Sequence, residues 1–318
     1  MTRVCTDSLK AVFFNSCRRT MALLLTVLLT TQPSLTHGQT LSADSAASLA
    51  EQPSIGAAPN GVPLVDIAPI SGAGVSHNKY TDFNIGNQGL ILNNAAVVGT
   101  SQLGGVVLGN PNLTPGNEAA LIINEVTSSN PSVLGGALEV HGQRADVVVA
   151  NPNGITVDGL ETINIERFSL TTGRPVLDGA GNLNHLDVGG GTITLEDLGL
   201  NAETTTQTDI IARMAEVMAE VSAGQSLNVI LGRNDVDYDS LLTTVKGPYG
   251  QPKPALALDG TLFGAMQAGR IRIMATEDGV GVITPKNLVT NRNDIVVDAN
   301  GITRLKTTTA ATDIRVTA

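Results

Sequence analysis

The sequence predicts an all-β chain wound as a solenoid, and three observations carry that expectation. The first is composition. With 34 glycines, no tryptophan, 3% aromatic and 42% hydrophobic residues, the chain is rich in turns and must build its core from aliphatic side chains. Globular sandwiches lean on large rings for their cores, so a stack of thin aliphatic layers fits better. The second is a recurrence of short apolar runs, each closed by Gly, Asn or Asp, at 89–92, 119–126, 137–140, 145–150, 191–195, 227–231, 270–275 and 294–297. The third is an echo. Ala145-Asp146-Val147-Val148-Val149 leads into Asn153-Gly154-Ile155-Thr156, and Asn293-Asp294-Ile295-Val296-Val297 leads into Asn300-Gly301-Ile302-Thr303, as expected when one coil design is reused.

The chain opens with Arg3, Lys10, Arg18 and Arg19, followed by an apolar run from Met21 to Leu29 and a polar stretch ending Thr36-His37-Gly38. Residues 1–38 therefore read as a secretory signal peptide cut before Gln39. The apolar run is far shorter than the roughly 20 residues that span a bilayer. Both cysteines, Cys5 and Cys17, lie in this leader, so the remainder has no thiol for a disulfide or a thiolate metal site. A chain that crosses a pore unfolded is better without early cross-links. Loss of the leader takes the formal charge from −10 to −13, a poor match for nucleic acid or an anionic membrane.

Residues 39–61, rich in Ser, Ala and Pro and without periodicity, read as a flexible start. Residues 62–285 carry the strand pattern. Residues 286–318 read as further coils that stop without the polar capping repeat that closes a solenoid, as in a truncated gene, a fragment or a naturally short exoprotein. One segment breaks the β pattern. From Thr208 to Ser222, Ile210, Ile211, Met214, Val217, Met218 and Val221 fall on one stripe of a 3.6-residue helix, with Arg213, Glu216 and Glu220 off it. Thr208 or Asp209 can cap its start and Gly224 its end, so one short amphipathic helix is expected there.

Two words stand out, Asn110-Pro111-Asn112-Leu113 and Asn151-Pro152-Asn153-Gly154-Ile155. Each reads as a corner. Proline drives the Asn before it into an extended conformation, the Asn side chain bonds the backbone two residues on, and Asn153-Gly154 tolerates positive φ. In order with Ser76-His77-Asn78-Lys79-Tyr80, Gly89-Leu90-Ile91-Leu92-Asn93, Gly142-Gln143-Arg144-Ala145 and Ala268-Gly269-Arg270-Ile271, these words resemble the secretion domain of the filamentous haemagglutinin and haemolysin family of two-partner secretion. The likeness runs from Val62 to about Val282.

The resemblance implies a right-handed parallel β-helix of the pectin-lyase-like kind, with a capping and extra-helical β part. It implies a domain that leaves the inner membrane unfolded and is recognised by an outer-membrane transporter with periplasmic recognition domains. Outside the cell it would fold and template the rest of a filamentous adhesin, secreted or held at the surface of a Gram-negative bacterium. Asn110, Pro111, Asn112, Leu113, Asn151, Pro152, Asn153, Gly154 and Ile155 then form the secretion motif that shapes the fold and is read by the transporter. Through the parent exoprotein the partner is a host or neighbouring-cell surface. Many relatives, contact-dependent inhibition proteins above all, carry a C-x-x-C pair where this chain has Val157 and Leu160, which counts against a toxin-delivery parent.

No enzyme, cofactor or metal is expected. His77, His141 and His185 are well separated, with no acid or thiol at ligand spacing, and His77 reads as a hydrogen-bonded turn residue. A G-x-S-x-G elbow is missing. Asp235, Asp237 and Asp239 alternate as at the start of a calcium loop, but no Gly follows and Lys246 stands where the closing glutamate belongs, so a solvated acidic loop is expected. Gly189-Gly190-Gly191 precedes a strand, which makes it a bend between coils rather than a phosphate cradle. A β-helical polysaccharide lyase is the enzyme alternative, and it would need a carboxylate cluster for calcium beside a basic residue in one groove.

Overall fold

The computed structural model describes residues 40–247, 252–260 and 264–318, so the expected leader and cleavage site lie outside the described residues. Strand Ala145–Ala150 pairs in parallel with Leu121–Val126 on one side and Ile165–Thr171 on the other. The pairing continues through Gln207–Ala212, Ser226–Leu231, Arg270–Ala275, Ile295–Ala299 and Ile314–Thr317, making a ten-stranded sheet that begins at Leu41–Ala43 and Val75–Phe83. A second, 15-stranded sheet holds two more columns. One column includes Thr192–Leu195, Met214–Val217, Leu256–Asp259 and Gly281–Ile283; the other includes Leu200–Ala202, Glu220–Ala223, Ala265–Ala268 and Asn287–Thr290. The long strands Ser132–Gly142 and Ile155–Ile163 run through both columns and tie them together. They bend at Gly136 and Gly159, where φ is +118° and +87°, values that glycine adopts without penalty. The result is the expected parallel β-helix. Gln207 pairs with Ser226 and Ile295 with Ile314, so one bare turn takes about 20 residues, the short end of solenoid repeats.

The interior follows from strand alternation. Asn124, Val149, Leu170, Ile210, Val229, Ile273 and Val297 lie in register on successive strands and are all fully buried. Each layer therefore stacks on its neighbour at about 4.8 Å, which suits aliphatic side chains and leaves little room for rings. The outward positions of the ten-stranded sheet's strands from Val75–Phe83 to Ser226–Leu231 are covered too. A four-stranded antiparallel sheet, Arg174–Leu177, Leu183–Asp187, Asn234–Asp237 and Thr243–Val245, packs Leu183, Leu186 and Val236 onto Ile123, Val148, Ile211 and Ile230. Burial on both faces explains why these strands read as continuous apolar runs rather than alternating ones.

The sequence echo is structural. Ala145–Ala150 and Ile295–Ala299 occupy the same sheet, and Ile155 and Thr303 start strands in the same column. The triple glycine 189–191 connects the four-stranded sheet back to the stack, as a bend should.

Two expectations are corrected. Thr208–Ser222 is not a helix but parts of three strands, Gln207–Ala212, Met214–Val217 and Glu220–Ala223. Ile210, Val217 and Val221 point into the interior from three sides, while Ile211 points outward beneath the four-stranded sheet. Corners near Arg213 and Met218 reset the alternation, so period-two strands produce a stripe of helical spacing. The Arg213 guanidinium pins its corner to Glu277 at 2.8 Å and to the Pro252 carbonyl at 3.0 Å. Nor does the described part of 39–61 lack regular structure. Leu41–Ala43 and Ser54–Ala57 pair antiparallel with Val75–Phe83 and Pro63–Asp66, occupying backbone groups that the first strands would otherwise leave open. Between them a short 3-10 turn, Leu49–Glu51, is held by Lys79 on Glu51 at 2.8 Å.

Leu186→Ala, which empties a site between the two sheets, is expected to cost about 2–5 kcal/mol, read as a lower urea midpoint. Alanine at the exposed Leu198 is expected to change stability by less than about 0.5 kcal/mol.

Candidate functional site: the Asn-Pro-Asn corners

The two words are one device used twice. Asn110 is buried; its Nδ2 donates to the Ile67 and Asn93 carbonyls at 3.0 and 2.9 Å, and its Oδ1 accepts from the Asn112 amide at 2.9 Å. The Leu113 amide closes the turn onto the Asn110 carbonyl at 3.1 Å. Asn151 repeats this. Its Nδ2 donates to the Asn130 carbonyl and Ser132 Oγ, both at 2.9 Å, its Oδ1 accepts from the Asn153 amide at 3.0 Å, and Gly154 closes the turn at 3.1 Å. The second Asn of each word also clasps the preceding chain: Asn112 Nδ2 on the Ile67 carbonyl at 2.9 Å, Asn153 Nδ2 on the Ser128 carbonyl at 2.7 Å. Leu113 and Ile155 then plug into the main core. Of the pair expected to tolerate positive φ, Gly154 uses it, at +111°.

Among the nine motif residues, then, Asn110, Leu113, Asn151, Gly154 and Ile155 are buried and shape the corners, whereas Pro111, Asn112 and Asn153 are exposed and Pro152 is half-buried. No hydrogen bond among the described residues joins one corner to the other. The second corner opens on a polar cleft of about 470 Å³ lined by Thr127, Ser128, Ser129, Asn153 and Arg174.

The sequence reading missed other asparagines with the same duty. Asn94 spans two corners, donating to the Ala119 and Gln143 carbonyls at 2.9 Å and accepting from the Ala119 amide at 2.8 Å. Asn78 accepts from the Ala68 amide at 2.8 Å inside a strand. A polar amide at the end of an apolar run, as in Leu92-Asn93-Asn94, was the available signal. Glu139, buried on the outer side of Ser132–Gly142, accepts from Ser101 Oγ and from the Gln102 and Leu103 amides at 2.7–2.8 Å, which fastens the hairpin Gly99–Ser101 and Gly105–Val107.

The histidines and aspartates are placed as follows. His77 is hydrogen-bonded as expected, to Glu125 at 2.8 Å, but on strand Val75–Phe83 rather than in a turn. Asp235 and Asp237 belong to strand Asn234–Asp237, not to a solvated loop. Lys246 bridges Asp235 and Asp187 there, while Asp237 accepts from Ser240, leaving Asp239 exposed in the turn. The segment has a strand's alternation, with Val236 facing inward, and the acids are its outer row. His141 is buried against Gly99, and burial pushes its imidazole below the ordinary histidine value, with Glu139 opposing.

Asn151→Ala leaves buried partners unpaired and is expected to cost about 1–3 kcal/mol, measured by urea unfolding. The unfolded chain binds a proton at His141 more readily than the folded one. Stability is therefore expected to fall as pH drops through the ordinary histidine range, and His141→Gln should flatten that part of the profile.

Residues 39–305 match the family described as TPS secretion domain. A 16S rRNA endonuclease CdiA of Enterobacter cloacae is 42% identical over 309 residues, 95% of this chain and 9% of that protein. A tRNA nuclease CdiA of Escherichia coli strain STEC_O31 is 46% identical over 261 residues, 82% of this chain and 8% of that protein. The chain thus spans less than a tenth of the length of these relatives. The crystal structure of the filamentous hemagglutinin secretion domain superposes with a TM-score of 0.77 at 33% identity, covering 88% of this chain and 100% of that one. No helix among the described residues is long and apolar enough to cross a membrane. This chain belongs to the TPS secretion domain family, the secretion domains of two-partner exoproteins.

Proposed function

We propose that this chain directs a large exoprotein through a dedicated outer-membrane transporter and, once outside a Gram-negative cell, starts the β-helix on which the rest of that exoprotein folds. Its role is export and assembly rather than catalysis. The observation that supports this reading is locality. Each strand of the ten-stranded sheet bonds only to the turns before and after it, so the stack can form turn by turn as chain emerges from a pore.

A toxin delivered on contact with a neighbouring cell is the favoured parent. The relatives at 42% and 46% identity carry the name CdiA, whereas the haemagglutinin domain stands at 33%. Val157 and Leu160, which in the sequence counted against a toxin parent, are fully buried on either side of the Gly159 bend and fill that place by packing. They carry no weight against it. An adhesin that engages a host surface is the second reading, favoured by the likeness to the haemagglutinin domain.

In this reading the corner words are what the transporter's periplasmic domains meet before the chain folds, and Pro111, Asn112, Pro152 and Asn153 are the members that the folded corners leave outside the core, so they can be changed at least cost to the fold. Co-expression with the cognate transporter tests it. Deleting the transporter is expected to abolish release, and undiminished release would overturn the export reading. Combined Pro152→Ala and Asn153→Ala is expected to lower release about tenfold while the purified domain keeps its stability within about 1 kcal/mol. Full release by that variant would remove the corner from the recognised surface.

A further inference from the structure

The four-stranded sheet is assembled from two insertions far apart in the chain. Arg174–Leu177 and Leu183–Asp187 follow strand Ile165–Thr171, whereas Asn234–Asp237 and Thr243–Val245 follow Ser226–Leu231. Its central pairing joins Leu183–Asp187 to Asn234–Asp237, so neither insertion completes the sheet alone.

A charged pair is buried beneath it. Arg167 and Asp209 stand on neighbouring strands of the stack. The Asp209 carboxylate, with no exposed surface, accepts from Arg167 Nε at 2.7 Å, Ser169 Oγ at 2.8 Å, Asn228 Nδ2 at 2.9 Å and Gln207 Nε2 at 3.0 Å. Tyr238, the residue after strand Asn234–Asp237, lays its ring over the guanidinium, 3.9 Å from Cζ. Arg167 Nη2 is buried without a hydrogen-bond partner, so the π face of Tyr238 is what compensates that side of the cation. Three parts of the chain that are made at different times thus meet at one buried charge.

We propose that Arg167, Asp209 and Tyr238 form a folding latch. Before residue 238 arrives, the Arg167–Asp209 pair lies on an open sheet face with Ile123, Val148, Ile211 and Ile230. The first insertion has no strand partner from the second. When Tyr238 seats on the guanidinium, the four-stranded sheet closes, the outer aliphatic row is covered, and residues 165–245 become one cooperative unit. Turns outside that span keep the turn-by-turn behaviour of a solenoid. During export this unit would act as a pawl, closing once per molecule and preventing backward sliding. That purpose rests on the export reading; the latch itself does not.

Native-state hydrogen exchange on the purified chain, without a transporter, tests the latch separately from export. In the unsubstituted protein the amides of Leu183–Asp187, Asn234–Asp237 and Ile165–Thr171 are expected to open together. Tyr238→Leu keeps apolar cover but loses the ring, and should speed all three by about tenfold while leaving Ile295–Ala299 unchanged. Tyr238→Phe keeps the ring and should stay within about twofold of the unsubstituted protein. Should Tyr238→Leu fail to fold, Arg167→Lys, which keeps the charge and loses the planar stack, takes its place in the comparison. The latch is overturned if the leucine or lysine variant leaves Ile165–Thr171 exchanging at its original rate, if every turn of the stack accelerates equally, or if phenylalanine behaves as leucine does.

Discussion

Everything in this domain depends on register between successive turns. Each strand satisfies its backbone through the turn above and the turn below, and that geometry places every inward side chain directly over its counterpart, as in the run from Val149 through Leu170, Ile210 and Val229 to Ile273. A shift of one residue would exchange the inner row with the outer row along the whole strand. The corners protect against that shift. Asn110, Asn151 and Asn94 hold backbone groups of adjacent chain segments from buried positions, so the place where each strand begins is fixed by hydrogen bonds rather than by apolar contact, which has no direction.

The insertions are built on this frame without disturbing it. They leave at corners and return to the next strand in register, which is why Arg167 pairs with Gln207 as readily as Gln207 with Ser226 although the first step contains an extra hairpin. What they add is a second buried face. From Val75–Phe83 to Ser226–Leu231 the ten-stranded sheet is thereby covered inside by its own stack and outside by the four-stranded sheet. The strand edges at the start of the chain are treated differently, closed by the antiparallel strands Leu41–Ala43 and Ser54–Ala57.

Much of this was legible in the sequence, and the exceptions have physical causes. Apolar runs closed by Gly or Asn gave the strands, and the Asn-Pro-Asn words gave the corners because proline and asparagine impose local geometry that needs no distant partner. The segment Thr208–Ser222 misled because two strand corners fall within it, and periodicity cannot distinguish a helix stripe from three short strands aimed at one interior. The start at 41–57, rich in Ser and Ala and without periodicity, reads as flexible because its strands form through backbone pairing, which side chains do not announce. Nothing local marks Arg167 as buried, and Asp209 reads as a helix cap, since the sheet that buries them comes from residues 174–187 and 234–245. For the site, the words located both corners, but which of their residues face solvent became visible only with the neighbouring turns in place.

Register is the claim on which all of this rests, and one comparison measures it directly. A single alanine inserted between Ile210 and Ile211 shifts a strand. The same insertion between Gly179 and Ala180, at an exposed hairpin tip, does not. Urea unfolding of the purified domains is predicted to show the strand insertion losing several kcal/mol or its cooperative transition, and the tip insertion changing stability by less than about 1 kcal/mol. Equal tolerance of the two insertions would contradict the account.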